Sequence, residues 1–277
     1  MHMEQLAAHR AFLRKSQNPD GGWGYFPGKQ SWLEPTAYAA LALTSDPASS
    51  DHVRRAWNLV RSWQNADGGW RPSAVVTTST WTTALAVTFG EAIGEHGPEL
   101  DAGAGWLMAS GGAESSTLNR VLRFLGVSAV EREVKYAGWP WRPGTSAWVE
   151  PTAHALTALK RYARRKPDRA IRGRIDSGER MLLSVRCSDG GWNYGSPRAL
   201  DVELPSYAET TALALLGLGA RAPADAMEHA RRLKERRVSP LAQAWLRIAL
   251  KEPAGAADLR HNDVLLAALE ALDGGKL

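Results

Sequence analysis

The chain has 277 residues, 44% of them hydrophobic and 23% charged, which supports one packed domain over residues 1–277 and excludes a disordered chain. A net charge of +5 suits an anionic lipid surface or a phosphorylated ligand; without a recognisable binding module it does not indicate nucleic acid. Cys187 is the only cysteine, so no intrachain disulfide and no multi-cysteine zinc site can form. With no apolar signal region and no run of about 18 apolar residues, a cytoplasmic protein is expected.

In chain order, Glu4–Leu13 reads as a helix with one wet face and runs into Gln17–Trp23, QNPDGGW. A second helix follows Glu34-Pro-Thr-Ala37 and is apolar nearly all round, so it belongs inside. The pattern repeats. The amphipathic His52–Trp63 leads into QNADGGW (Gln64–Trp70) and then an apolar helix at Trp81-Thr-Thr-Ala84. A longer connection, Gly97–Leu125, holds helix candidates at Leu100–Met108 and Ser116–Leu125. A worn copy, KYAGWPW (Lys135–Trp141), precedes Glu150-Pro-Thr-Ala153. Glu179–Val185 leads into RCSDGGW (Arg186–Trp192) and Glu209-Thr-Thr-Ala212. Ala224–Arg236 and Pro240–Leu250 form a last pair, and Asn262–Leu272 a closing helix. No segment reads as a strand.

From each tryptophan to the Thr of Thr-Ala the distance is 13, 13, 13 and 19 residues, placing a six-residue insertion within Ser196–Pro205. A repeat of one helix–turn–helix unit at fixed register predicts a stacked or closed array. The expectation is all-α: an α/α toroid of about five helix pairs, inner ring within outer ring. Asp20, Asp67 and Asp189 read as turn residues, and Trp23, Trp70 and Trp192 as packing staples between units.

The DGGW turns, with Gln three residues before the Asp, and Ser206–Leu215 resemble the QW repeats and C-terminal inner helix of the squalene and oxidosqualene cyclases. Their superfamily includes class II terpene cyclases and protein prenyltransferase β-subunits. The resemblance implies the toroid, and class II chemistry would use an Asp-x-Asp-Asp-Thr-Ala acid at the start of an inner helix. Aligned on Thr-Ala, the proton-donating Asp falls on Glu34, Glu150 and Glu209, and on Trp81 in the second repeat. Its neighbouring aspartates fall on Trp32, Trp148 and Tyr207, and on Pro35, Pro151 and Thr210. A lone glutamate raised by burial is a weaker acid than a clustered aspartate, and needs a partner for the carboxylate it leaves. The zinc ligands, thioester and Asp-rich magnesium elements of related chemistries are missing, so no metal or cofactor is expected.

The candidate acids are Glu150, then Glu34 and Glu209, with His154 one turn beyond Glu150 on the same face. Their repetition in three units equally suits carboxylates that complement helix dipoles. Trp32, Trp81, Trp139, Trp141, Trp148, Tyr25, Phe26, Tyr38 and Tyr207 are candidate ligand-contacting aromatics, able to face a carbocation, stack on a sugar or fill core. The basic stretch Lys160–Arg174 and the cluster Arg231, Arg232, Lys234, Arg236 and Arg237 suit peripheral contact with an anionic membrane, a pyrophosphate, or solvent alone.

Three functions stay open. The first is a class II terpene cyclase-like protein holding an isoprenoid-like apolar molecule in the central cavity, which it cyclises or isomerises by carboxylic-acid protonation. The second is a non-enzymatic interaction scaffold. The third is a carbohydrate-active or carbohydrate-binding α/α barrel, which needs two carboxyls about 5–10 Å apart, drawn from Glu34, Glu150, Glu209, Asp201 and Glu203.

Overall fold

The computed structural model describes residues 2–113, 136–253 and 262–272. Eleven α-helices lie among them: α1 His2–Ser16, α2 Leu33–Leu43, α3 Ser50–Ser62, α4 Thr82–Ala92, α5 Pro98–Ala109, α6 Val149–Arg165, α7 Arg169–Ser184, α8 Ala208–Leu218, α9 Ala224–Lys234, α10 Pro240–Ala249 and α11 Val264–Ala271. The helix candidate at Ser116–Leu125 lies outside the described residues.

Helices α2, α4, α6, α8, α10 and α11 pack each on the next, and α11 returns to α2, closing an inner ring. Around it α1, α3, α5, α7 and α9 each bridge two neighbouring inner helices. The sequence dictates this division. Every residue of α2 except Glu34 is buried, whereas α3 buries only Ala56, Trp57 and Val60. The predicted closing helix is thus a sixth inner stave. Arg247 of α10, 5% exposed, ties it in by donating to the carbonyls of Leu269 and Leu272 at 2.5 and 3.1 Å.

The repeat spacing has a single cause. The backbone N–H of each tryptophan donates to a threonine hydroxyl in the first turn of the following inner helix: Trp23 to Thr36, Trp70 to Thr83, Trp139 to Thr152 and Trp192 to Thr211, at 2.8–3.0 Å. Each indole N–H reaches a carbonyl of the preceding outer helix, Leu13, Val60, Leu107 or Leu182, at 2.7–2.8 Å. All four tryptophans are buried. One residue therefore joins two helices through both its nitrogens.

The turn itself is held by its aspartate. Asp67 accepts from Gly69 N at 2.9 Å and Ser79 Oγ at 2.7 Å, and Asp20 does the same with Gly22 and Ser31. Gly68 has φ +86°, and a Cβ there would stand 2.7 Å from the Ala102 carbonyl oxygen, so glycine is required. The worn third copy has no aspartate. Its turn is organised instead by Arg174, which donates to the carbonyls of Ala137 and Gly138 and lies over the Trp139 ring at 3.3 Å. Part of the basic stretch is therefore structural.

A further bond links units. The carbonyl two residues past each tryptophan accepts from a backbone N–H at the start of the preceding inner helix: Tyr25 from Val264, Pro72 from Leu33, Trp141 from Trp81 and Tyr194 from Val149, at 2.8–3.1 Å. Two short antiparallel pairs correct the expectation of no strand. Trp139–Pro140 (β1) pairs with Ala147–Trp148 (β2), and Arg198–Ala199 (β3) with Val202–Glu203 (β4). The second hairpin is the six-residue insertion, turning through Leu200 and Asp201 at φ 48° and 60°.

Candidate functional site

Glu34, Glu150 and Glu209 occupy the second position of α2, α6 and α8. Because these helices run parallel in the ring, all three carboxyls stand at one end, the mouth. Glu150 senses the other two. Burial first, then the charges of Glu34 and Glu209, push Glu150 up to about 8. Burial also raises Glu34, while a hydrogen bond from the Tyr25 hydroxyl to its Oε2, at 2.5 Å, pulls it back. Burial, Glu34 and Glu150 together hold the Tyr25 phenol far above its ordinary value, so it remains a donor. Glu209 accepts from Ser239 Oγ at 2.9 Å.

The Glu150 shift has a stability consequence of definite sign. A carboxyl with a folded pKa above its unfolded one contributes stability that is complete below the unfolded value, 4.5, and lost as pH rises through about 8. Glu150→Gln is expected to melt with the wild type near pH 4 and above it at pH 8.5. A melting difference that is flat or reversed across that range would show that ionised Glu150 has a stabilising partner.

Among the described residues, the space beside Glu34 is at the mouth, and little is left in the ring's centre. The interior cavity among Tyr38, Ala153, His154, Thr157 and Trp245 is only about 10 Å³, the volume one water needs. Aromatic rings plug it. Trp245 stands edge-on to Tyr38 at 5.4 Å, and His154 lies 5.1 Å from Trp81. The Tyr38 hydroxyl is 3.4 Å from His154 Nδ1. Burial lowers the imidazole to about 3, so it is neutral. Its ring faces Tyr38, Trp81 and Trp245, and the expected pairing with Glu150 does not form.

Above this plug lies a pocket of about 330 Å³ lined by Tyr25, Trp32, Glu34, Thr80, Trp81, Trp141 and Arg142. That is the lower end of the usual range for ligand pockets, roughly 300–1,000 Å³. Trp81 and Trp141 meet edge to face at 5.1 Å, making an aromatic wall of the pocket that Glu34 also borders.

Of the predicted aromatics, Trp32, Trp81 and Trp141 line this pocket and Tyr38 belongs to the plug. Trp139 is a correction. It is 2% exposed and is the third repeat's staple, as its distance from Thr152 indicated. Trp148 caps α6 and pairs through its backbone with Trp139, while Tyr207 is half-exposed and packs on Tyr194 at 5.3 Å; neither borders the pocket. Sequence reasoning missed the Tyr25–Glu34 bond, Arg142 and Trp245. Tyr25, offered by the sequence as a cavity aromatic, does border the pocket, at the same offset from Trp23 that Trp141 has from Trp139.

Comparison with known proteins agrees with this architecture. Residues 1–92 match the squalene-hopene cyclase N-terminal domain. A drimenyl diphosphate synthase of Streptomyces showdoensis is 27% identical over 231 residues, 80% of this chain but 39% of that protein, so the chain spans well under half the relative's length. The type II terpene cyclase MstE from Scytonema, solved in variant form with its substrate geranylgeranyl dihydroxybenzoate, superimposes with TM-score 0.58 at 18% identity, covering 97% of this chain and 76% of that one. The endo-β-1,4-glucanase CMCax from Acetobacter xylinum gives TM-score 0.60 at 13% identity, covering 96% and 95%. The resemblance carried by the repeats is matched over residues 1–92, and the fold is an all-α toroid of the kind these solved structures share. The glucanase shares the fold, so the fold alone does not select the chemistry. No described helix is long and apolar enough to cross a membrane.

Proposed function

We propose that the mouth pocket binds an isoprenoid-like alkene and that Glu34 protonates it, starting a metal-free cyclisation or isomerisation of the class II type. The observation that carries this reading is the Tyr25–Glu34 hydrogen bond beside an aromatic-walled pocket. Burial favours the protonated form of the glutamate, and the Tyr25 hydroxyl is already placed to stabilise the carboxylate left behind. In the forward step the Glu34 proton forms a new C–H bond with the alkene's π electrons, leaving a carbocation that Trp81 and Trp141 can face. Loss of a proton from carbon to water at the open mouth completes an isomerisation with no net proton consumed. Glu150, raised to about 8, holds a proton near neutral pH that can recharge Glu34.

Glu34 replaces Glu150 as the preferred donor because Glu34 borders the pocket. A carbohydrate reading rests on the open pocket, its edge-to-face aromatics and the Glu34 carboxyl. Incubation with farnesyl diphosphate, geranylgeranyl diphosphate, squalene and cello-oligosaccharides, followed by mass spectrometry, separates the two. A cyclised product supports the proposal, and shortened oligosaccharides replace it with the alternative. Unchanged substrates throughout leave the toroid as a scaffold.

A further inference from the structure

The mouth pocket has an inner end, and one side chain forms it. Trp81 borders the pocket on one side and lies 5.1 Å from the His154 ring on the other, the planes tilted by 35°. His154 in turn stands 6.4 Å from Tyr38 and 6.2 Å from Trp245. These three residues border the interior cavity of about 10 Å³. Trp81 is therefore the partition between the open pocket and the ring's centre.

The ring does not need an indole at this place. The same register holds Glu34, Glu150 and Glu209 in the other three repeats. The joints of the second repeat are the Trp81 backbone N–H on Trp141 O at 3.1 Å and the Trp70 N–H on the Thr83 hydroxyl at 2.8 Å. Neither uses the Trp81 side chain. Nor does the plug behind it end as a finished core ends. His154 Nε2 is buried with no hydrogen-bond partner among the described residues, whereas buried polar atoms ordinarily have one. The indole at position 81 thus follows from the pocket rather than from the repeat.

The pocket's volume sets a scale. It is about 330 Å³, and at the roughly 30 Å³ that one water occupies in the liquid it takes about eleven non-hydrogen atoms. That is two isoprene units, with a third reaching the opening. A longer chain cannot extend inward past Trp81, so its extra length stays in water and adds no burial.

We propose that Trp81 is the specificity-determining residue of this pocket: its indole stops an entering prenyl chain and restricts the ligand to a short isoprenoid of two to three isoprene units. The inference rests on the isoprenoid reading of the pocket, but not on proton transfer from Glu34.

The test is binding of the fully hydrogenated forms of geraniol, farnesol and geranylgeraniol to the full chain, measured by native mass spectrometry. These alcohols have no alkene to protonate, so binding is read without reaction. The wild type is expected to bind the three-unit alcohol about tenfold more tightly than the two-unit one, and the four-unit alcohol no more tightly than the three-unit one. Trp81→Ala is expected to move the limit, so that the four-unit alcohol gains about tenfold over the three-unit one. Trp81→Phe should fall between, and it decides the matter if the alanine variant does not fold. Trp141→Ala, in the wall, should weaken all three alike and leave the limit in place. An affinity that keeps rising to four units in the wild type, or a limit unmoved in the Trp81 variants, overturns the proposal. Binding of none of the three overturns it together with the isoprenoid reading. A limit that moves in a protein forming no product sinks the protonation step alone and supports this inference.

Discussion

Glu34→Gln is expected to reduce product formation by about 10²–10⁴-fold, the range for removing a general acid, with little change in stability. The amide preserves the shape and can still accept from the Tyr25 hydroxyl, so the pocket should bind the same molecules. Tyr25→Phe should lower the rate by about 10²-fold through loss of the donor that stabilises the developing carboxylate, without altering the acid itself. The pair separates the two roles. If Tyr25→Phe is silent while Glu34→Gln is inactive, the 2.5 Å bond is only a resting-state contact. If both are fully active, the proton comes from elsewhere at the mouth, and Glu150→Gln is the next variant.

Trp70→Ala should cost about 3–5 kcal/mol in unfolding free energy, from the loss of a fully buried indole. The loss of its N–H bond to Val60 O, which then keeps only the Trp63 N–H, adds to it. Against a typical domain stability of roughly 5–15 kcal/mol this approaches unfolding. Trp70 also packs directly on Gly103 of α5, where a Cβ would stand 2.4 Å from its ring. Trp141→Ala is the matched contrast. That indole borders the open pocket, and its structural contribution to the ring is a backbone carbonyl that alanine retains. Its urea midpoint should shift by less than about 1 kcal/mol equivalent while ligand retention falls. Equal destabilisation by both would mean that staple and wall are not distinct.

The toroid was legible because its joints are local in sequence. The 13-residue interval from Trp23 to Thr36 is the span of one loop closed by one hydrogen bond, so any chain using that joint must repeat the number. The insertion before Thr211 shows the rule from the other side: six extra residues leave as a hairpin and the bond re-forms at 3.0 Å. Trp139 was misread because its turn has lost the Asp, although its interval to Thr152 was intact; the missing contact comes from Arg174, 35 positions further along the chain. The candidate site was legible only in part. The register placed three glutamates at equivalent positions, but the influence of Glu34 and Glu209 on Glu150 depends on helix tilt and ring size, which no spacing encodes. The filling of the ring's centre by Tyr38, His154, Trp81 and Trp245 likewise depends on side chains from four helices meeting at one level.

The central claim is that a carboxyl at the mouth delivers a proton to carbon. Its most direct test is to run the isoprenoid panel in D₂O and measure deuterium in the extracted product by mass spectrometry. The account predicts one solvent-derived deuteron bound to carbon per product molecule, with both product and label lost in Glu34→Gln. A product formed without deuterium, or the absence of any product across the panel, would contradict it.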